Sequence, residues 1–363
     1  MPSLTLAGGA ILSTIILNRY LRFTARFAMI YIDNEGITDP HVNLAIEEYC
    51  IRHLPGGEDY LLFYINAPSI IIGRNQNTLE EIHQAYIDEH GIHVVRRISG
   101  GGAVYHDHGN LNFSFLTDFS KDKLNNFKQF ATPITKVLND MGVPAEMKGR
   151  NDIVVGDKKI SGNAQFSSTK RMFNHGTLLL DCDLSQVTKA LDVKMTKITS
   201  KGHKSARARV ANIAEFLDAP LSTEAFKEKI LASLFPDGIE RKTYRLTAED
   251  WDSINTLVEE KYRQWDWNYG RSPDFDIQRT RHFAAGIIDF RLKVKRGGAI
   301  ENVKIYGDFF GQRPVSEIED ALVGVRYDKR EIEDALQDID LYPYFGEVDR
   351  AKFIDLIYGP DEQ

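Results

Sequence analysis

Three consecutive glycines, Gly100, Gly101 and Gly102, separate two runs that read as strands, IHVVRRI (92–98) and AVYH (103–106). Glycine loses more conformational freedom on ordering than any other residue, so three in a row mark a place where side chains are not tolerated. Between two strands they make a tight turn. Backbone N–H groups freed by such a turn can cradle an anion, and the missing Cβ atoms let a ligand approach the main chain. The pattern is neither a GxxxxGK[ST] phosphate loop nor a GxGxxG dinucleotide fingerprint, because those lead into a helix and a strand follows here. Arg96 and Arg97 stand just ahead of the turn. Side chains alternate along a strand, so one of the two faces the turn, where its planar fork would grip phosphate or carboxylate.

The surrounding segments alternate irregularly between helix and strand. DPHVNLAIEEYCIRHLPG (39–56) reads as a helix with Asp39 as N-cap, Pro40 in the first turn, and Val42, Ala45, Ile46, Tyr49, Cys50 and His53 on one stripe. YLLFYIN (60–66), SIIIG (69–73) and LNFSFLT (111–117) read as strands. TLEEIHQAYIDEHG (78–91) carries a capping-box pattern at Thr78 and Glu81 and stops at a glycine, which predicts one helix from its start. KLNNFKQFATPITKVLNDMG (123–142) predicts a helix interrupted near Pro133 and ended by Gly142. NDIVVGDKKISG (151–162) reads as a hairpin turning at Gly156-Asp157, and HGTLLLD (175–181) as a further strand.

This mixture predicts an α/β class of the mixed-sheet, α+β kind rather than a doubly wound parallel sheet. Gly270 and Pro273 interrupt a polar stretch near WDWNYGRSPDF (265–275), which divides the chain into a large domain over 29–268 and a compact α+β module over 276–363. In that module FAAGIIDFRLKV and AIENVKIYGDFFG are strands joined at Arg296-Gly297-Gly298, followed by helices in SEIEDALVG and REIEDALQDI.

The formal net charge of −7 argues against nucleic acid or an anionic membrane as a partner. Two cysteines, Cys50 and Cys182, build neither a disulfide framework nor a cysteine-rich metal site, so a reducing cytoplasmic setting is expected. Residues 1–28 form an extension in which LTLAGGAILSTIIL (4–17) precedes Arg19, Arg22 and Arg26. That apolar run is shorter than the roughly 20 residues a spanning helix needs, so no stable membrane insertion is expected. The late arginines leave an organellar transit segment or a membrane-surface helix as the alternatives to a dispensable extension.

Two more clusters bear on chemistry. In KGRNDIVVGDKKISGNAQ (148–165), Lys158 and Lys159 start the return strand of the hairpin and point to opposite faces. A lysine that faces inward needs an anionic partner, and Asp152 on the outgoing strand is placed to pair with it or to help hold a metal. KGHKSARARVANI (201–213) gathers Lys201, His203, Lys204, Arg207 and Arg209, a run that by itself reads as a solvated face. A glycine cradle, an arginine, an inward lysine and a basic loop suit a reaction between anions, such as attack of a carboxylate on the α-phosphate of a nucleotide. The residues alone lead to an anion-binding α/β enzyme of the acyl-activating kind.

At these same motifs the chain resembles the lipoate–protein ligase A family. RRISGGGAVYHDHGNLNFSF is similar to that family's arginine–glycine signature, GRNDIVVGDKKISGNAQ with FNHGTLLLD to its lysine segment, and SARARVANI to its adenylate-side loop. IGRNQN (72–77) and WDWNYGRSP also look like family segments. The resemblance implies a catalytic domain of the biotin/lipoate ligase-like fold with a small C-terminal accessory domain. It implies a ligase that uses ATP and Mg²⁺ to convert lipoate to lipoyl-AMP, then lipoylates a lysine on its acceptors. Those acceptors would be the lipoyl domains of 2-oxoacid dehydrogenase E2 subunits or the glycine-cleavage H protein. By the same resemblance Arg97, Gly102, Ala103, Val104 and Tyr105 would hold ATP. Lys159 would touch both the lipoyl carbonyl and the phosphate as the catalytic residue. Ser99, Gly100, Gly101 and His175 would line the lipoate pocket. Asn151 and Asp152 would lie near the nucleotide, with Asp152 the candidate metal ligand. The rivals are a lipoyltransferase that uses preformed lipoyl-AMP, an octanoyltransferase and a non-enzymatic lipoate binder. The cysteine nucleophile of octanoyltransferases has no counterpart, since no cysteine lies between Met141 and Lys159 and Cys182 reads as a core residue.

Overall fold

The computed structural model describes residues 29–191, 210–236, 240–269, 277–295 and 298–358. The N-terminal extension, the basic residues of 201–209 and most of the 265–275 boundary segment lie outside them.

Apolar residues on both faces of the strands make the main sheet a central layer. Its strands are β1 (Met29–Asp33), β2 (Asp59–Ile65), β6 (Asn110–Asp118), β7 (Ala145–Lys148), β8 (Asp152–Val155), β9 (Lys158–Ser167), β10 (Arg171–Leu179) and β11 (Thr243–Arg245), in the order β11-β1-β2-β6-β10-β9-β8-β7. The β1–β11 and β1–β2 pairs are parallel, and the rest are antiparallel. Along β2 the period-2 alternation sends Leu61 and Phe63 to one core and Tyr60, Leu62 and Tyr64 to the other. The first core is closed by the helices Phe127–Asp140 and Thr223–Leu234. The second holds the helix Pro40–His53, which lies against a small sheet of β4 (His93–Arg96), β3 (Ser69–Ile72) and β5 (Val104–His106), ordered β4-β3-β5. The architecture is therefore a mixed α/β fold, as its segment pattern predicts.

Three local expectations are corrected. The helix Pro40–His53 starts as read, with Asp39 accepting from the His41 N–H, but it is buried well beyond one stripe. Leu44, Glu47, Glu48 and Ile51 are buried, while His53 is exposed. Packing between two sheets covers more than one face. The capping box at Thr78 does not form: the Thr78 hydroxyl donates to the Asn268 carbonyl (2.5 Å) and accepts from Arg96 (2.6 Å). Only a short 3₁₀ turn, Thr78–Glu80, results, and the helix begins at Gln84 and ends with Gly91 in the left-handed region. The helix Phe127–Asp140 runs through Pro133 without interruption. Burial of Phe130, Ala131, Ile134, Val137 and Leu138 outweighs the lost hydrogen bond, and the carbonyl that loses its donor, on Gln129, is half-exposed.

The C-terminal module is an antiparallel meander, β12 (Ile277–Phe283), β13 (Gly286–Val294) and β14 (Ile300–Gly307), covered by helices that include Ser316–Leu322 and Lys329–Leu336. The first of these strands has no clear sequence signal. The module has its own core around Phe290, Phe309, Phe345 and Phe353. It touches the large sheet domain through Arg291, which pairs with Glu80, and through the Gly307 N–H, which donates to the Asn75 carbonyl (2.9 Å).

Candidate functional site

The floor of the site is one register row across the main sheet. Tyr64 on β2 pairs with Asn112 on β6, which pairs with Thr177 on β10. Thr177 Oγ1 accepts from the Gly162 N–H on β9 (3.1 Å), and Gly162 pairs with Asp152 on β8. Since alternate residues share a face, this row lines one side of a cavity of about 240 Å³. Leu44, Ile71 and Val104, from the helix Pro40–His53 and the small sheet, make its apolar wall. Phe310 and Asp308 of the C-terminal module complete it.

The glycine turn forms the rim. Gly101 has φ +93°, a conformation that a residue with a side chain rarely takes. A Cβ on Gly100 would lie 2.2 Å from the Phe309 carbonyl oxygen, so this glycine lets the C-terminal module seat against the turn. A Cβ on Gly102 would meet nothing within 4 Å, which leaves that backbone open to the cavity.

Arg97 is the member of the pair that faces the turn, and it holds the turn from within. Its Nε donates to Ser99 Oγ (2.9 Å), Nη1 to the Ile71 carbonyl (3.0 Å), and Nη2 to the carbonyls of Gly100 (2.7 Å) and Gly102 (2.9 Å). Burial pulls its pKa down to about 10, which leaves it charged at neutral pH. Arg96 points the other way and is fully buried. It donates to the carbonyls of Gly73, Arg74, Gln76, Trp267 and Asn268, tying the IGRNQN loop to the WDWN turn.

Lys159 and Lys158 diverge as the hairpin predicts. Lys158 pairs with Glu215, while Lys159 Nζ enters the cavity and meets Asp152 Oδ1 at 2.8 Å. The Lys159 chain lies across Gly162, where a Cβ would stand 2.9 Å from Nζ. The Ala211 N–H donates to the Lys159 carbonyl (3.0 Å), which fixes the strand just before its side chain turns inward.

A buried polar chain runs behind the turn. His175 Nδ1 lies 3.0 Å from both carboxylate oxygens of Glu47, and its Nε2 lies 2.8 Å from Ser99 Oγ. A carboxylate only accepts, so Nδ1 donates to Glu47, and this fixes the ring with Nε2 against the serine. His106, which also lines the cavity, is held through Nδ1 by the Asn66 amide (3.1 Å), itself anchored by Asn43. Burial, reinforced by Arg97 and His175, pushes the His106 pKa down to about 3. The unfolded chain binds a proton at this residue below about pH 6.5, whereas the folded chain refuses it until about pH 3. Stability from this group is therefore complete above that window and lost as pH falls through it, by about 1.4 kcal/mol per pH unit. Urea unfolding at pH 7 and pH 5 should show a steeper loss in the wild type than in His106→Gln, and equal slopes would contradict the assignment.

Of the residues singled out by sequence, the cavity gathers Arg97, Gly101, Gly102, Ala103, Val104, Asn151, Asp152, Lys159 and His175. Ser99 is buried behind the turn and reaches the cavity only through His175 and Arg97. Gly100 is covered by Phe309 and Phe310, and the Tyr105 ring packs with Ile70 and Ile72 on the outer side of the small sheet. Neither cysteine lines the cavity, and burial pushes both thiols up, so neither is a ready nucleophile.

The profile of the lipoyl protein ligase A/B catalytic domain matches residues 39–235, and that of the bacterial lipoate protein ligase C-terminus matches residues 272–357. The chain belongs to the lipoyl protein ligase A/B family. It is 53% identical over 332 residues to lipoate-protein ligase LplJ of Bacillus subtilis, a match that covers 91% of this chain and 100% of that relative. A crystal structure of lipoate-protein ligase A bound with ATP is 27% identical, covers 67% of this chain and 98% of its own, and superposes with a TM-score of 0.56. The bi-partite lipoate protein ligase of Thermoplasma acidophilum, described with its E2 lipoyl domain, is 28% identical, covers 69% and 100%, and gives a TM-score of 0.60.

As a site for this lipoate ligase family member, the cavity also contains residues that sequence reasoning passed over. Glu47, behind the cavity rather than in its lining, holds His175, and a charge at a core-facing helix position is a signal that could have found it. Asn112 and Thr177 follow only from strand register, and Phe310 and Asp308 come from a distant module with no local cue.

Proposed function

We propose that the chain is an ATP-dependent lipoate–protein ligase that works in this cavity. The observation that carries the reading is the polarity of the cavity from end to end. Leu44, Tyr64, Ile71 and Val104 line an apolar part, and Lys159, Asp152, Asn151 and the open Gly102 backbone line a charged part. A long apolar acid with its carboxylate at the charged part, next to a nucleotide, matches that division.

In the first step a lipoate carboxylate oxygen attacks the α-phosphorus of ATP. The bond from that phosphorus to the bridging oxygen breaks, and pyrophosphate leaves with the electron pair. No proton moves. Lys159, in the cavity beside Asp152, would meet both the acyl carbonyl and the α-phosphate and hold two mutually repelling anions together. In the second step the free amine of an acceptor lysine attacks the acyl carbonyl, AMP leaves with the electron pair, and the amine's proton passes to solvent. No enzyme nucleophile is needed.

Mg²⁺ fits the donor set as an ion carried in by ATP. It is held by one or two carboxylates together with substrate phosphates, and Asp152 and Asn151 offer oxygen ligands of that kind. Among the described residues no group of three or more His, Cys, Asp or Glu could hold a metal without the nucleotide. Bound there, the ion would screen phosphate charge.

The acceptors we infer are lipoyl domains of 2-oxoacid dehydrogenase E2 subunits and the glycine-cleavage H protein, which would place the reaction in the cytoplasm. Supporting this, the relative from Thermoplasma acidophilum is described with an E2 lipoyl domain. No helix among the described residues is long and apolar enough to cross a membrane.

Pyrophosphate release from ATP, Mg²⁺ and lipoate tests the first step directly. Release that requires lipoate is expected, and none would sink the ligase reading. A finer check is Gly162→Ala. Its methyl displaces Lys159 from Asp152, and lipoate-dependent pyrophosphate release should fall on the order of 10–100-fold without loss of fold.

A further inference from the structure

Arg150, which follows Gly149 at the start of the β7–β8 hairpin's return, is a cavity-lining guanidinium to which no sequence expectation assigned a role. Among the described residues the Arg and Lys side chains that line the cavity are Arg97, Lys159 and Arg150, and they differ in how much of their charge is committed. Arg97 spends every nitrogen of its guanidinium on Ser99 and on carbonyls of the turn and of Ile71. Lys159 is paired with Asp152 at 2.8 Å. Arg150 makes no ion pair with any described residue, and its side chain is exposed to the cavity. Among the described residues its one hydrogen bond runs to the Ala285 carbonyl, and its guanidinium lies 4.7 Å from the centre of the Phe310 ring. Both partners belong to the C-terminal module. Phe310 in turn rests on the glycine turn, within van der Waals reach of Gly101, and packs with Phe127 and Ala164.

We propose that Arg150 is a phosphate-binding residue of the adenylation step, aimed into the cavity by the C-terminal module through Ala285 and the face of Phe310. This rests on the ligase reading above. A guanidinium on an aromatic shelf keeps its outward N–H groups free, and the ring face stabilises the cation by about 0.5–2 kcal/mol. Such a group suits the phosphates that carry charge when pyrophosphate departs. Arg97 is then the residue that shapes the turn, Lys159 the one that meets the acyl carbonyl and α-phosphate, and Arg150 the one that meets the leaving group. Burial lowers the Arg150 pKa, and the charges of Asp308 and Asp152 oppose that shift. Transfer of the acyl group from a finished adenylate involves no pyrophosphate and does not need Arg150 in this position.

The test separates the two half-reactions in the full-length protein. ATP–pyrophosphate exchange with lipoate reports adenylation, and mass gain on an apo lipoyl domain from synthetic lipoyl-adenylate reports transfer. Wild-type protein lacking both activities would overturn the ligase reading itself, and this inference with it. With both present, Arg150→Ala should lower exchange about 10–100-fold and raise the KM for ATP, while transfer stays within about twofold. Arg150→Lys should recover part of the exchange. Phe310→Leu, which keeps bulk and removes the ring face, should show the same split and add little further loss in the Arg150→Ala background. Normal exchange in Arg150→Ala, or equal losses in both half-reactions, would overturn the proposal while leaving the ligase reading standing.

Discussion

Replacing Lys159 with alanine is expected to reduce lipoate-dependent ATP–pyrophosphate exchange by about 10²–10³-fold, the loss that follows removal of one preorganised donor from a developing charge. Nothing else described in the cavity can stand in for it. Arg97 is occupied by the turn, and Arg150 is turned toward the C-terminal module, against Ala285 and Phe310. The fold should not suffer. Lys159 and Asp152 are each about one-third exposed, 36% and 33%, and an ion pair in that setting contributes about 0–1 kcal/mol. Thermal unfolding near the wild-type midpoint together with lost exchange would place the lysine in the chemistry. Exchange close to wild type would remove it from the mechanism.

The largest effect on stability is expected at the neighbouring arginine. Arg96→Met retains apolar bulk but strips donors from the carbonyls of Gly73, Arg74, Gln76, Trp267 and Asn268 and from the Thr78 hydroxyl. The side chain is 1% exposed, so water does not replace those bonds without opening the loop. Removing one partner from such a buried, charge-assisted network destabilises by about 3–5 kcal/mol. The IGRNQN loop, which packs on the glycine turn, should loosen first. Urea unfolding and amide exchange of residues 73–78 would measure this, and an unchanged midpoint would contradict the clamp role. The two adjacent arginines therefore separate cleanly. Arg96 holds the loop and Arg97 holds the turn, a division that strand alternation implies without saying which arginine does which.

How much of this was legible in the sequence depended on the range of the interaction. The hairpin, with one of Lys158 and Lys159 facing inward and Asp152 within reach of it, could be read because period-2 alternation and a two-residue turn are local rules. The turn at Gly101 was readable for the same reason. Thr78 was misread because its hydroxyl had a tertiary offer from Asn268 and Arg96 that outbid the helix cap, and no local pattern shows that. Pro133 was misread because the amphipathic face of its helix is worth more than one hydrogen bond. Asn112, Thr177 and Phe310 were out of reach, since each enters the site through strand register or module packing rather than through its neighbours in the chain. Strand alternation puts one of the two arginines on the turn, but only the structure shows that it is Arg97 and that its donors are engaged there.

The most direct test of the central claim is the intact mass of an apo lipoyl domain after incubation with the protein and lipoate, with and without ATP and Mg²⁺. The account predicts a gain of one lipoyl group that requires ATP and is lost with Lys159→Ala. No gain with ATP, but a gain from synthetic lipoyl-adenylate, would contradict it and make the protein a transferase that depends on another activator.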